Sequence, residues 1–210
     1  EETIILTLTE TSTVAGLIIS QNTHTLTIID NDATHVEDFI NSNATSSYTD
    51  QSFVGNNSIT WSYVESRDEN NDNNSSGING NALMLRSGTN DSKITSNAIA
   101  GGIGDFVVKL YKGFTGAGSR QVELFINGVS QGLSETFDDY DVHIFSVSAI
   151  NIAGEVLIEI RNNTSKQVII DDISWIGYLN TSNTSTWTGA TSSSWNTSSN
   201  WGAGGVPTIN

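Results

Sequence analysis

The chain has 210 residues, 23 acidic side chains against eight basic ones, a formal net charge of −15 and a pI near 4.2. That balance excludes a generic nucleic-acid binder, which needs Lys and Arg to neutralise phosphates, and it disfavours an anionic membrane surface. The absence of cysteine excludes disulfides, thiolate metal sites and cysteine nucleophiles, and no apolar run approaches the ~18 residues of a membrane helix.

Ser, Thr and Asn fill about a third of the chain. The remainder is rich in Ile, Val and Thr and carries five Trp, five Tyr and seven Phe, a composition that folds as β structure instead of staying disordered. The chain opens on Glu1 with no signal peptide, which reads as a processed piece or a fragment of a longer protein.

In chain order, Glu2-Thr-Ile-Ile-Leu-Thr-Leu-Thr9 and Thr25-Leu-Thr-Ile-Ile29 alternate apolar residues with Thr, the period of a strand, and Asp30-Asn-Asp32 stops the second. Two strands bury no core of their own, so residues 1–32 read as the end of a preceding domain. Residues 33–179 read as one domain, with strands expected at 52–54, 59–64, 82–86, 106–111, 120–127, 142–148, 154–161 and 167–176. Arg120-Gln-Val-Glu-Leu-Phe-Ile-Asn-Gly128 ends in the dipeptide of a tight hairpin. No segment carries a helical apolar stripe. Short strands at this spacing predict an all-β, antiparallel two-sheet sandwich or jelly roll with under about a tenth helix. Residues 180–210 change character: a polar linker, Asn180-Thr-Ser-Asn-Thr-Ser185, leads to Trp187, Trp195 and Trp201, then Pro207, the start of a further Trp-containing repeat.

Two motifs are weighed and set aside. Gly128-Val-Ser-Gln-Gly132 matches the nucleophile elbow, but that turn must join a strand to a helix; here Asn127-Gly128 makes a hairpin, so Ser130 reads as a loop residue and the chain as non-enzymatic. Asp68-Glu-Asn-Asn-Asp-Asn-Asn-Ser-Ser-Gly77 begins like a calcium loop but lacks its central glycine and closing glutamate, so it reads as a solvated acidic loop. The many Asn-x-Ser/Thr matches, among them Asn43, Asn56, Asn74, Asn162 and Asn196, follow from composition.

Two groups remain. Glu37-Asp38 precedes the first strand of the domain, and Asp171-Asp172 interrupts its last, Val168-Ile-Ile-Asp-Asp-Ile-Ser-Trp175. Unpaired carboxylates in an apolar strand are costly. A cation bridging Asp38, Asp171 and Asp172 relieves that cost, and oxygen-only ligands select calcium; the competing reading turns one Asp to solvent and lets the other cap a turn. Six of the eight basic residues fall between Arg67 and Arg120, alongside Trp61, Tyr63 and Tyr111. Flat aromatic faces beside Arg and Lys donors suit a sugar, which selects Arg86, Lys112 and Arg120 as donors and Tyr63 or Tyr111 as stacking surface; the competing reading puts the aromatics in the core.

Residues 2–9 with 25–32 resemble the last two strands of a Calx-beta repeat. Ser58-Ile-Thr-Trp-Ser-Tyr63, Ala82-Leu-Met-Leu-Arg86, Ser92-Lys-Ile-Thr-Ser96, Gly101-Gly-Ile-Gly104, Phe114-Thr-Gly-Ala-Gly118 and the 120–128 stretch resemble a jelly-roll module of large secreted Bacteroidetes proteins, similar in architecture to carbohydrate-binding modules. The tail resembles a repeat of the same surface proteins, many exported by the type nine secretion system. The resemblance implies a non-catalytic module, secreted or at the cell surface, with neighbouring domains in the same chain. It names no ligand; two readings stand, a module that binds a polysaccharide or cell-surface glycan, and a calcium-braced spacer with no ligand of its own. It also implies a structural calcium held by acids of the first and last strands, and neither nucleic acid nor membrane insertion.

Overall fold

The computed structural model describes residues 2–7, 23–28, 34–70, 80–178, 188–192, 194 and 196–201. Asp30 to Asp32, the acidic stretch from Asn71 to Asn79, and Trp187, Trp195 and Pro207 lie outside them. Strands β1 (Glu2–Thr7) and β2 (Thr23–Ile28) pair antiparallel, Glu2 opposite Ile28, as their alternation predicts.

The domain itself is all-β. It runs β3 (Thr34–Glu37), β4 (Thr49–Val54), β5 (Thr60–Asn70), β6 (Asn81–Leu85), β7 (Lys93–Ser96), β8 (Phe106–Lys112), β9 (Val122–Ile126), β10 (Val129–Leu133), β11 (His143–Val147), β12 (Ile158–Asn162) and β13 (Val168–Ile176). β3, β7 and β10 are absent from the sequence expectation. Each is only four or five residues long, and β10 is a polar strand containing Gly132.

All eleven strands form one hydrogen-bonded ribbon, and the ribbon turns over at β5. Trp61 to Val64 pair with Ser96 to Lys93 of β7, whereas Ser66 to Asn70 pair with Leu85 to Asn81 of β6. Glu65, between the two halves, takes a φ of +45°, the left-handed backbone that redirects a strand. One layer is therefore β10-β9-β12-β7-β5 with β4 beside β5; the other is β5-β6-β13-β8-β11 with β3 beside β13. This is an antiparallel two-sheet sandwich of jelly-roll kind.

Alternation fills the space between the layers. Trp61, Tyr63, Ile94, Leu124, Ile126, Ile158 and Ile160 face Leu83, Leu85, Phe106, Val108, Leu110, Ile170 and Trp175 in one buried cluster. Each such side chain contributes roughly 1.5–3 kcal/mol by leaving water. Trp61 and Trp175 meet edge-on, ring centroids 6.2 Å apart.

A bulge at the two aspartates changes the parity of β13. Asp171 lies opposite Lys109 but Ser174 lies opposite Val107, leaving one extra residue on β13, and Asp172 has a φ of +45°. Val168 and Ile170 point inward before the bulge, Ile173 and Trp175 after it. Past the bulge β3 takes the place of β6 as the neighbour of β13, from Glu37 opposite Ile173 to Thr34 opposite Ile176. The expected hairpin is present: Asn127 and Gly128 have φ of 52° and 77°, and Val129 pairs with Ile126.

In the tail, buried Asn200 organises one turn. Its Oδ1 accepts the N–H groups of Thr191 and Ser192 at 2.8 and 2.9 Å, and its Nδ2 donates to Ser192 Oγ and the Ser194 carbonyl.

Candidate functional site

The structure divides the sequence-selected glycan residues between the interior and one outer face. Tyr63 shares the inward side of β5 with Trp61 and is 1% exposed, so it offers no face to a ligand. Its hydroxyl donates to Asn43 Oδ1 at 3.1 Å. Arg120 is 0% exposed, and its guanidinium is fully committed. Nε donates to the Gln167 carbonyl at 3.2 Å, Nη1 to the Gly118 carbonyl and Asp138 Oδ1, both at 2.5 Å, and Nη2 to the Gly113 and Gly116 carbonyls at 2.9 and 2.7 Å. These are all five donors of an arginine. Lys112 is buried beside it, its Nζ 2.8 Å from Asp138 Oδ1 and 4.7 Å from the Tyr140 ring centroid. Arg120 and Lys112, whose Nζ also donates to the Asp138 carbonyl at 2.6 Å, thus hold the loop after β8 in place; Arg120 has no donor left for a sugar, and Lys112 is buried away from one.

Arg86 and Tyr111 lie on the outer face of the β5-β6-β13-β8 sheet, but Tyr111 is only 4% exposed and gives a ligand no stacking face. Registers set Arg67 opposite Met84, Met84 opposite Ile169, and Ile169 opposite Tyr111, and directly opposed residues share a face. Ala82, Met84, Ile169 and Tyr111 form a small second cluster with Tyr48 packed on it, the Tyr48 hydroxyl reaching Met84 Sδ at 3.3 Å. Burial pushes the Tyr48 and Tyr111 hydroxyls above the usual tyrosine range, so both stay neutral.

Two guanidinium groups flank Tyr48. The Cζ of Arg86 stands 5.2 Å from its centroid, that of Arg67 5.8 Å from it and 5.6 Å from the Phe114 centroid. Arg86 pairs with Glu65 at 2.6 Å. Phe114 is 48% exposed with a φ of 57°, and it sits in the loop that Arg120 grips on either side. Tyr48 and Phe114 are the aromatic residues sequence reasoning missed. Both lie outside the alternating strands, and the Phe114-Thr-Gly-Ala-Gly118 run was the one available signal.

The carboxylates gather at the β13 bulge on the same sheet. Asp171 is 4% exposed, and its carboxyl is pushed up to about 6, chiefly by burial and then by the charge of Asp172, with a contribution from Asp38. Its Oδ1 accepts the Asp172 N–H at 2.8 Å. Asp172 already has a counter-charge in Lys109, Nζ to Oδ2 2.5 Å, which holds the lysine above its ordinary range. Asp38 Oδ1 accepts the Ile40 N–H and Asn56 Nδ2. Buried Glu37 accepts the N–H groups of Phe39 and Asn56, both at 2.9 Å, and burial raises its carboxyl. The donors are oxygen-only, as calcium prefers, but among the described residues no three acidic or histidine side chains converge on one point. As they stand, one oxygen of each aspartate is engaged: Asp172 Oδ2 by Lys109, Asp171 Oδ1 by the Asp172 N–H, and Asp38 Oδ1 by the Ile40 N–H and Asn56.

Ser130 lies on edge strand β10, its Oγ donating to Glu123 at 2.6 Å, and not at a strand-to-helix turn. A polar cleft of about 410 Å³ opens beside Asp91, Glu123, Arg161 and Asn162. Its charged groups are engaged with protein: Asp91 with Lys93, Glu123 with Ser130, and Arg161 with Glu159 and the Phe125 ring. No helix of the described residues is long and apolar enough to cross a membrane.

No family model and no curated protein matches the chain. Among solved structures it is similar to a CBM36 domain of a multidomain xylanase from the hindgut metagenome of Trinervitermes trinervoides (14% identity, TM-score 0.44, covering 70% of this chain and 99% of that one). It is similar also to a xylan-binding CBM22 domain (11%, 0.44, 68% and 93%) and to a CBM36 carbohydrate-binding module in complex with calcium and xylotriose (16%, 0.38, 49% and 84%). At such identities and TM-scores the likenesses assign no ligand to this chain.

Proposed function

We propose that residues 34–178 are a non-catalytic glycan-binding module of a larger extracellular protein, serving attachment or adhesion. The observation that carries this reading is the outer face of the β5-β6-β13-β8 sheet, where exposed Phe114 and half-buried Tyr48 stand beside Arg67 and Arg86, over a buried layer that includes Tyr111. Aromatic rings meet the C–H face of a pyranose and guanidinium N–H groups bond its oxygens. The ring nearest solvent belongs to a loop fixed from below by Arg120, so little ordering cost falls on binding. A glycan array with the full chain tests the reading: binding that Phe114→Ala removes supports it, and a silent array overturns it.

The second reading is a spacer braced by calcium. It is favoured by the complete burial of Trp61 and Trp175, which leaves neither as a binding platform, and by the buried charge of Asp171. A cation there draws on Asp38 and Asp171 and must displace Lys109 to reach Asp172. A melting temperature unmoved by chelator removes the calcium from this reading.

A further inference from the structure

We propose that Arg67 is a recognition residue for a carboxylate, so that the ligand class of the module is a polysaccharide containing uronic acid; this rests on the glycan-binding reading above. The inference begins with how the chain uses its scarce cations. Among the described residues, six of the eight pair with a carboxylate: Arg86 with Glu65, Lys93 with Asp91, Lys109 with Asp172, Lys112 and Arg120 with Asp138, and Arg161 with Glu159. With 23 acidic residues in the chain, a guanidinium on a sheet face with no carboxylate partner among the described residues is the exception. Lys166, the other unpaired cation, lays its methylenes against Gly118, a packing role that a lysine stem performs without its charge. Arg67 lies opposite Met84 on the outer sheet face, with its guanidinium itself set against two rings.

The Arg67 guanidinium lies between the Tyr48 and Phe114 rings, 5.8 and 5.6 Å from their centroids. Its one hydrogen bond runs from Nε to the neighbouring Asp68 carbonyl at 3.3 Å, so the Nη1 and Nη2 fork has no acceptor among the described residues. Aromatic rings attract a guanidinium through its charge and do not use up its N–H donors, which stay available to a ligand. That edge matches the two oxygens of a planar carboxylate, and apolar walls strengthen the pair by keeping water from it. Arg86, tied to Glu65 on the far side of Tyr48, supplies a second positive field without competing for the same oxygens. A neutral sugar offers only hydroxyls to this fork and leaves its charge uncompensated. The uronate ring carries a C–H face for Phe114 and a carboxylate for Arg67 in one unit.

Affinity electrophoresis of the full chain tests this with three gels: polygalacturonate, the same polymer fully methyl-esterified, and neutral β-1,4-galactan. The expected result is retardation by polygalacturonate at least tenfold stronger than by its ester. Arg67→Ala abolishes it, and Arg67→Lys, which keeps the charge but not the fork, weakens it at least tenfold. Thermal melts confirm that both variants fold, and Arg67→Lys decides should Arg67→Ala melt without cooperativity. Equal retardation by acid and ester, or by galactan alone, overturns the inference while leaving the glycan-binding reading intact. Polygalacturonate retarding Arg67→Ala as strongly as the parent also overturns it, because the carboxylate is then bound elsewhere. No retardation in any gel overturns it, and a silent glycan array in addition overturns the broader reading.

Discussion

Replacing Arg120 with methionine isolates what the buried guanidinium does for the fold. Methionine fills similar space and needs no hydrogen bonds, so lost packing is minimised. Four of the five acceptors of Arg120 are backbone carbonyls, those of Gly113, Gly116, Gly118 and Gln167, and these cannot be mutated away. The usual tolerance of buried ion pairs toward apolar replacement depends on changing all partners together and does not apply. A carbonyl stripped of its donor away from water costs about 1–3 kcal/mol. Those of Gly116 and Gly118 can turn to solvent as their loop loosens, whereas that of Gly113 is buried. The net loss should be about 3–5 kcal/mol, the range for breaking a buried charged pair. At roughly 3 °C per kcal/mol for a domain of this size, the midpoint should fall about 10–15 °C in scanning calorimetry of the full chain. Arg120→Lys, able to reach two or three of the acceptors, should fall between variant and parent. A methionine variant within about 1 kcal/mol of the parent, below the cost of even one lost buried bond, refutes the clamp.

Phe114→Ala should leave the melting temperature within a few degrees of the parent, since the ring is exposed, yet remove any glycan retardation; loss of fold instead would make Phe114 structural. Asp171 has a folded-state value near 6 against 3.8 for the free side chain. The native state therefore holds its proton longer than the unfolded one, and stability should fall as pH rises from about 4 to about 6 by at most ~3 kcal/mol at ~1.4 kcal/mol per unit. Asp171→Asn should flatten that slope and stabilise the domain at pH 7, and an unchanged pH profile of chemical denaturation would count against the burial of this charge. Adding calcium at pH 7 should raise the midpoint if the cation settles at Asp171, and should have no effect in Asp171→Asn; equal effects in both place the ion elsewhere. Gly55→Ala sets a methyl 1.8 Å from Glu37 Oε2, forcing that carboxylate off the Asn56 and Phe39 N–H groups, and urea titration should show a loss of at least ~1–3 kcal/mol, the cost of overpacking.

Period-two patterning made most of the sandwich legible, and its limit explains the misplaced site residues. Alternation tells which residues share a side of a strand, not which side faces in. Trp61 and Tyr63 share a side, so the burial of one fixes the other. On β8, Phe106, Val108 and Leu110 turn inward and leave Tyr111 outside, which is why that choice lies on the outer face. Arg120 looked like a sheet-edge donor because its acceptors come from loops at 113–118, 138 and 167 that no local pattern connects. The carboxylate pair in β13 was visible, but the bulge that separates its two roles was not, since an inserted residue leaves no composition of its own. Lys109 neutralises Asp172 only through a cross-strand register that the sequence does not print.

The pairing of β3 with β13 has a mechanical consequence. Thr34 and Ile176 are partners in an antiparallel ladder, so the polypeptide enters and leaves at the same corner. Were it strung between other domains, the unit would hang sideways like a bead on a short stalk and add little to the contour length of the chain that carried it. Tension applied through that corner loads the ladder one hydrogen bond at a time, by peeling, and not all bonds at once, by shear. Single-molecule stretching through residues 34 and 176 should therefore rupture it at low force, with a long release of hidden chain afterwards. Such a joint suits a pendant that presents a surface better than a rod that sets a distance.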